Sequence, residues 1–430
     1  MTRKVTARAT ARATAGARAT AGARATAKQT FRVKGGKPIA SGSYGCVFKP
    51  ALQCVNDRKR TDGVSKLMQI KNMKTEMELI KTVKRYTDTI PNHSDYFLLD
   101  NIASCTPGPI LNDDLNQFDT VCSGLVKKNF TAKTVNKQLQ ELSLINIPYG
   151  GVELRDYIKK LTGQPTRGVL FEQFNNRYID LLRNAIVPLN QRGFIHNDIK
   201  HDNILMGDDL HVRLIDYGLG SMFRPRRPTV PKSLMDYSFA FNKPFSSILF
   251  QSGHMVQAEI DTQVSLSLAD QMRQAATHIM QSKLRSRLGH YEKIISVCLP
   301  TVLNYTPTFI KHHGIETDKK GEAIIVDYIA AVLIKYTVQD KFQADRYFDE
   351  VYRHNADVWG FLTIYLDFLD AKSKNKNKNK NIKKIWPSRF TAEIQRILKK
   401  YCYSLTYAVT PIPIPSLVNE LSGLRPSPQT

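Results

Sequence analysis

Four polar residues, Asp198, Lys200, Asn203 and Asp216, sit in two stretches, Gly193-Phe194-Ile195-His196-Asn197-Asp198-Ile199-Lys200-His201-Asp202-Asn203-Ile204-Leu205 and Leu214-Ile215-Asp216-Tyr217-Gly218. Their types suit phosphoryl transfer. Asn203 and Asp216 offer hard oxygen ligands, from two loops, to a Mg²⁺ that bridges a triphosphate. Asp198, between apolar Ile195 and those ligands, is placed to take the proton of an incoming hydroxyl. Lys200 would neutralise charge on the γ-phosphoryl group during transfer. Any one of these carboxylates alone reads as a helix cap or a solvated turn, but chance rarely assembles the whole spaced set.

Such chemistry also needs a phosphate cradle. Gly42-Ser43-Tyr44-Gly45-Cys46-Val47-Phe48 lies between two strand-like runs, and its glycines would let the backbone close over phosphates where a Cβ would collide. An isolated pattern of this kind is equally an ordinary hairpin turn. One strand later, Val64-Ser65-Lys66 puts a lysine on an apolar strand just ahead of a helix, with Lys71 and Lys74 as competitors. Glu76 and Glu78 on that helix both qualify as the acid that fixes the lysine.

Taken together, these motifs resemble those of protein kinases. The catalytic run is similar to H-R-D-L-K-P-E-N, Asp216-Tyr217-Gly218 to D-F-G, Val64-Ser65-Lys66 to the strand carrying the phosphate-binding lysine, and residues 42–48 to the Gly-rich loop, with Ala40 where the first glycine would stand. The resemblance runs through residues 31–220 and more thinly afterward. It implies ATP and Mg²⁺ as cofactors, Asp198 and Lys200 as catalytic residues, and Asn203 and Asp216 as metal ligands. Ile39, Gly42, Ser43, Tyr44, Gly45, Val47, Lys66 and Glu76 would hold the nucleotide. Glu76 is favoured over Glu78 because two apolar residues, Leu79 and Ile80, follow it at the third and fourth positions. Leu144 to Gly151 would be the hinge meeting the adenine edge, with Ile145 at the back of the pocket and Val47 and Val64 flanking the base. Asp357, in Asp357-Val358-Trp359-Gly360, would hold the catalytic loop through its backbone.

Within that resemblance Lys200 implies serine/threonine specificity, and Lys200, Glu76 and the phosphate loop together imply protein substrates rather than small molecules. Asn197 stands where most kinases carry an arginine that binds a phosphorylated activation loop, which implies independence from such phosphorylation. Tyr217 replaces the usual Phe. No Ala-Pro-Glu follows Gly218; Phe241-Asn242-Lys243-Pro244-Phe245 occupies that region. Two other readings remain beside an active protein kinase: a kinase-fold phosphotransferase acting on a small molecule, and a catalytically silent scaffold. The long insertion and a lysine-asparagine run are similar to features of kinases of large cytoplasmic DNA viruses, which implies a cytoplasmic location, in a host cell or a virion.

The elements that must position these residues are legible in outline. Short β-rich runs are expected at Phe31 to Ser41, Gly45 to Ala51, Val64 to Ile70, Tyr96 to Ala103 and Leu142 to Ile147, with one helix from Lys71 to Tyr86. After Gly151 amphipathic segments dominate, the clearest from Leu170 to Arg192, with Pro188 kinking its last turn. The expected fold is α+β: a bilobal kinase-like chain with a small β-rich N-lobe (31–148) and a larger helical C-lobe (149–430) that carries a helical insertion at about 251–350.

Of the net charge of +24, nine units fall in residues 1–34 and seven in the lysines of 372–384, leaving +8 for the body. The Ala-Arg-Ala-Thr repeats of the tail (1–30) and the Lys-Asn loop offer no apolar face and are expected to be disordered. They could meet acidic partners, but no specific nucleic-acid binding is expected. Thr10, Thr14, Thr20 and Thr26 each follow Arg-Ala and are candidates for autophosphorylation. No apolar run is long enough for a membrane span. The six cysteines show no C-x-x-C pair and no zinc spacing, so free thiols in a reducing compartment are expected.

Overall fold

The structure, a computed structural model, describes residues 36–426 apart from 43, 56–62, 236–238, 251–255, 258, 261–266, 287–289, 313–314 and 370–384. Ser43, the tail, its threonines and the whole Lys-Asn loop (372–384) therefore lie outside the described residues.

Five strands form one antiparallel sheet in the order β1-β2-β3-β5-β4: β1 (Lys37–Ser41), β2 (Gly45–Lys49), β3 (Val64–Gln69), β4 (Ala103–Cys105) and β5 (Leu142–Ile147). Alternation in β2 buries Cys46 and Phe48 and leaves Val47 on the other face. The register sets Lys66 opposite Val47 on one side and Ile145 on the other. Helix α1 (Ile70–Thr87) starts directly after β3. Lys84 and Arg85 in its last turn complement the helix dipole.

The run Tyr96 to Ala103 is not a strand. It begins at the end of a short helix α2 (His93–Tyr96), makes a single bridge from Phe97 to Leu214, and turns at Asn101, which has a φ of 56°. Four consecutive bulky residues, Tyr96 to Leu99, carry no period, and a left-handed asparagine cannot continue a strand.

Between β4 and β5 the chain makes a cap containing two short helices, α3 (Phe118–Val121) and α4 (Ser123–Val126). Its apolar residues Ile110, Phe118, Leu125, Phe130 and Val135 share a small core with Phe48, Leu52 and Leu67 of the sheet region. Two disulfides fasten this part: Cys46–Cys122 and Cys54–Cys105. The expectation of free thiols is corrected for these four; Cys298 and Cys402 take part in neither bond and are buried. The partners are 76 and 51 residues apart in sequence, so no local spacing reveals them. In the chain-entropy account, closing loops of that length is worth about 4 kcal/mol each.

The rest of the described chain is mostly helical, built on an extensive aromatic and aliphatic core. A short strand β6 (Val152–Glu153) leads into α5 (Leu154–Thr162), followed by α6 (Arg167–Leu181), a wide π-helical turn (Leu182–Ile186) and α7 (Val187–Gln191). The kink expected at Pro188 takes the form of that turn, which precedes the proline and accommodates its missing N–H. Gly193 has a φ of 95°, and a Cβ there would stand 2.4 Å from the Phe223 carbonyl oxygen. Next come β7 (Phe194–Ile195), β8 (Ile204–Met206), β9 (Val212–Leu214) and β10 (Ser221–Met222), with β7 paired to β10 and β8 lying between β6 and β9. The helix Arg353–Thr363 is buried from Asn355 onward. Tyr178 of α6 stacks on its Phe361 with ring centroids 4.1 Å apart.

Candidate active site

The loop from His196 to Asn203 joins β7 to β8, and its conformation is imposed from the core. Asp357, on the buried helix, accepts from the backbone N–H of His196 (2.7 Å) and of Asn197 (2.8 Å), and also from Asn190 Nδ2 (2.7 Å). These bonds satisfy a buried carboxylate and fix two peptide planes just ahead of Asp198. Gly360, one turn further along the helix, lies so close that a Cβ would stand 2.8 Å from the Ile199 carbonyl oxygen. Asn197 takes a left-handed φ of 61° and donates to Ser221 Oγ at 2.8 Å.

Asp198 is the hub. Lys200 Nζ and Asn203 Nδ2 each donate to its Oδ2 at 2.8 Å, and Asn203 also donates to its carbonyl oxygen. Its Oδ1 accepts from Asn242 Nδ2 at 3.0 Å, and the same amide reaches the Ile199 carbonyl. The carboxylate is thereby held in one plane, largely buried. Asn242 matches no motif by type or position; its one signal in the sequence is its place in the run that stands where Ala-Pro-Glu would follow. Lys243, beside it, is buried, and desolvation lowers its pKa to about 8 against the pull of Asp198 and Asp357.

Asn203 commits its amide nitrogen to Asp198, which leaves its oxygen as a ligand. The Ile215 N–H donates to the Asn203 carbonyl at 3.0 Å, tying the 196–203 loop to the residue that precedes Asp216. Asp216 has a φ of 62° and an exposed carboxylate that, among the described residues, accepts from the Gly218 N–H alone, at 3.3 Å. One amide oxygen and one lightly engaged carboxylate are the hard donors that Mg²⁺ takes, so the residues fit that ion. Tyr217 is buried beside the rings of Phe194 and His196, and its hydroxyl donates to the Leu214 carbonyl at 2.7 Å. Burial pushes that phenol well up.

On the sheet, Lys66 Nζ meets both carboxylate oxygens of Glu76, at 2.7 and 2.8 Å. Glu78 faces away and pairs with Lys81 at the surface. The turn between β1 and β2 is closed by the Gly42 N–H donating to the Gly45 carbonyl at 3.0 Å. A Cβ at Gly45 would stand 2.6 Å from the Leu67 carbonyl oxygen, so this glycine is required by the neighbouring strand. Ile39 and Tyr44 are exposed and Val47 is half-buried. Ile145, opposite Lys66, is fully buried. Asp202, next to Asn203, is engaged by Arg155 at 2.7 Å.

Against known proteins, no protein-family model matches the chain. Parts of it are similar to serine/threonine-protein kinases. Fifty-seven residues, 13% of this chain and 5% of the relative, are 44% identical to serine/threonine-protein kinase LATS1 of Mus musculus. A stretch of 78 residues (18% and 7%) is 40% identical to ppk31 of Schizosaccharomyces pombe. A longer stretch of 156 residues (31% and 17%) is 25% identical to human greatwall. The matched stretches thus span 5% to 17% of these relatives' lengths. The mixed α/β chain, with its small antiparallel sheet and helical bulk, is consistent with a kinase-like fold. No helix among the described residues is long and apolar enough to cross a membrane.

Proposed function

We propose that the chain is a serine/threonine protein kinase of two lobes, which transfers the γ-phosphoryl group of ATP to protein hydroxyls. The observation that carries this reading is the convergence of Lys200, Asn203 and Asn242 on the Asp198 carboxylate, within a loop anchored by Asp357. Similarity to serine/threonine-protein kinases and the Lys66–Glu76 pair support it.

In this reading Lys66, oriented by Glu76, binds the α- and β-phosphates, and the turn at 42–45 covers them. Asn203 and Asp216 would hold Mg²⁺, which when bound neutralises phosphate charge. The acceptor hydroxyl oxygen forms a bond to the γ-phosphorus as the bond from that phosphorus to the β-bridging oxygen breaks. ADP leaves, and the hydroxyl proton passes to Asp198 Oδ1, which accepts from Asn242, whereas Lys200 and Asn203 both bond Oδ2. Lys200 balances the charge of the group in flight. Incubating the full chain with labelled ATP, Mg²⁺ and a library of serine, threonine and tyrosine peptides tests the proposal. Label on serine or threonine peptides is expected; label confined to small molecules, or none, overturns it.

A further inference from the structure

The cap between β4 and β5 leans on the turn assigned to the phosphates. Cys122, at the end of α3, is bonded to Cys46, the residue directly after Gly45, and both sulfurs are buried. Two residues on, the Gly124 N–H donates to Ser41 Oγ at 3.0 Å, just before the turn. Gly124 also approaches the turn itself so closely that a Cβ there would stand 2.1 Å from the Gly42 carbonyl oxygen. Phe118 packs on Phe48, with ring centroids 6.1 Å apart, and Lys128 Nζ lies 5.3 Å from the centre of the Tyr44 ring. The cap thus touches Ser41, Gly42, Tyr44, Cys46 and Phe48, the contact with Cys46 being covalent.

We propose that Cys122 and Gly124 are positioning residues for the phosphate turn, and that the Cys46–Cys122 bond makes nucleotide affinity dependent on thiol redox state. The inference rests on the nucleotide reading above. While the bond stands, the cap fixes the height of the turn over the phosphates, so little ordering is left for the ligand to impose. A dithiol reductant attacks one sulfur and forms a mixed disulfide; its second thiol then displaces the remaining protein thiol. Two electrons pass to the protein, Cys46 and Cys122 end as thiols, and the reductant ends as a cyclic disulfide. The turn, released on one side, must then be ordered by the nucleotide. Because both sulfurs are buried, reduction requires the cap to lift. Cys54–Cys105 joins the stretch after β2 to the end of β4, away from the turn, and serves as the internal control.

The full chain is compared before and after dithiothreitol, with the state of each cysteine read by alkylation and mass spectrometry. Mg-ADP affinity is measured by calorimetry, and KM for ATP and kcat by peptide phosphorylation. Breaking the bond is expected to weaken nucleotide binding by about three- to tenfold, the size of ordering one or two side chains, with kcat little changed. Cys122→Ser should match the reduced protein and ignore the reductant, whereas the Cys54→Ser, Cys105→Ser pair should still respond. Gly124→Ala should weaken binding with the disulfide intact, which keeps the test open if a cysteine variant does not fold. Equal affinity in the oxidised and reduced protein, or free Cys46 and Cys122 in protein never exposed to reductant, overturns the latch alone. Absence of nucleotide binding in every form overturns the nucleotide reading and the latch with it.

Discussion

The loop at 196–203 and the turn at 42–45 are held in opposite ways. The first is fixed from inside by a buried carboxylate and several buried amides, all donated by helices and segments of the core. The second is an exposed hairpin end, steadied by a cap through one disulfide and one hydrogen bond. In the proposed reading the loop carries the base for proton removal, which tolerates little misplacement, whereas the turn would cradle phosphates through several shared backbone contacts. Damage to the first should therefore appear in kcat, and damage to the second in nucleotide affinity.

The largest effect is expected for Asp198→Asn. It keeps the shape of the loop but removes the proposed base, so kcat should fall by about 10² to 10⁴, while Mg-ADP affinity by calorimetry stays near that of the unchanged protein. Comparable losses in both would show that the loop is not specialised for the proton step. Next comes Asp357→Ala, which leaves the N–H groups of His196 and Asn197 and the Asn190 amide without their acceptor. Buried donors left unpaired cost about 1 to 3 kcal/mol each, so denaturant unfolding should show a loss of about 3 kcal/mol, accompanied by a drop in kcat. A variant as stable and as active as the original would refute the anchoring.

The contrast also explains what the sequence discloses. Asp198, Lys200, Asn203 and Asp216 are neighbours in the chain, so their hydrogen-bonding geometry is written in local spacing, and α1 and β5 follow from periodicity. Asn242 and the cap–turn contacts are not local: Asn242 reaches Asp198 across 44 residues, and Cys122 reaches Cys46 across 76. A count of cysteine spacings is blind to pairs that only the fold brings together. Tyr96 to Ala103 shows the opposite failure, where a locally apolar run is bent by Asn101 and by packing against β9.

Lys243 supplies a pH test of how tightly the base loop is enclosed. Asp198 and Asp357 attract its charge and Lys200 repels it, and burial outweighs the attraction, leaving a pKa of about 8 against 10.5 for the free side chain. The folded-state value lies below the unfolded one, so the unfolded chain binds more protons between those two values. Stability from this group therefore rises with pH from about 8 and levels off above 10.5, by about 3 kcal/mol in all. The cost is fully present below pH 8. Unfolding of the original protein and of Lys243→Met, compared at pH 7 and pH 10, should show the original gaining on the variant at the higher pH. A difference that is flat across this window would mean that Lys243 is not desolvated.

The smallest effect separates two glutamates two residues apart on one helix. Glu76 meets Lys66 with both oxygens in a pair about three-quarters buried, whereas Glu78 pairs with Lys81 in solvent. Such a partly screened ion pair is worth about 1 kcal/mol, which corresponds to about a fivefold change in an equilibrium constant. Glu76→Gln should therefore weaken Mg-ADP binding by about fivefold, because Lys66 is no longer aimed by a full charge, with fold stability little altered. Glu78→Gln should leave nucleotide affinity unchanged. The two variants differ by one carboxylate on the same helix, so general weakening of α1 would affect them alike, and only loss of lysine positioning tells them apart. Equal affinities would mean that the Lys66–Glu76 contact does not orient the lysine for phosphate, and would place the control of this side of the site in the cap alone.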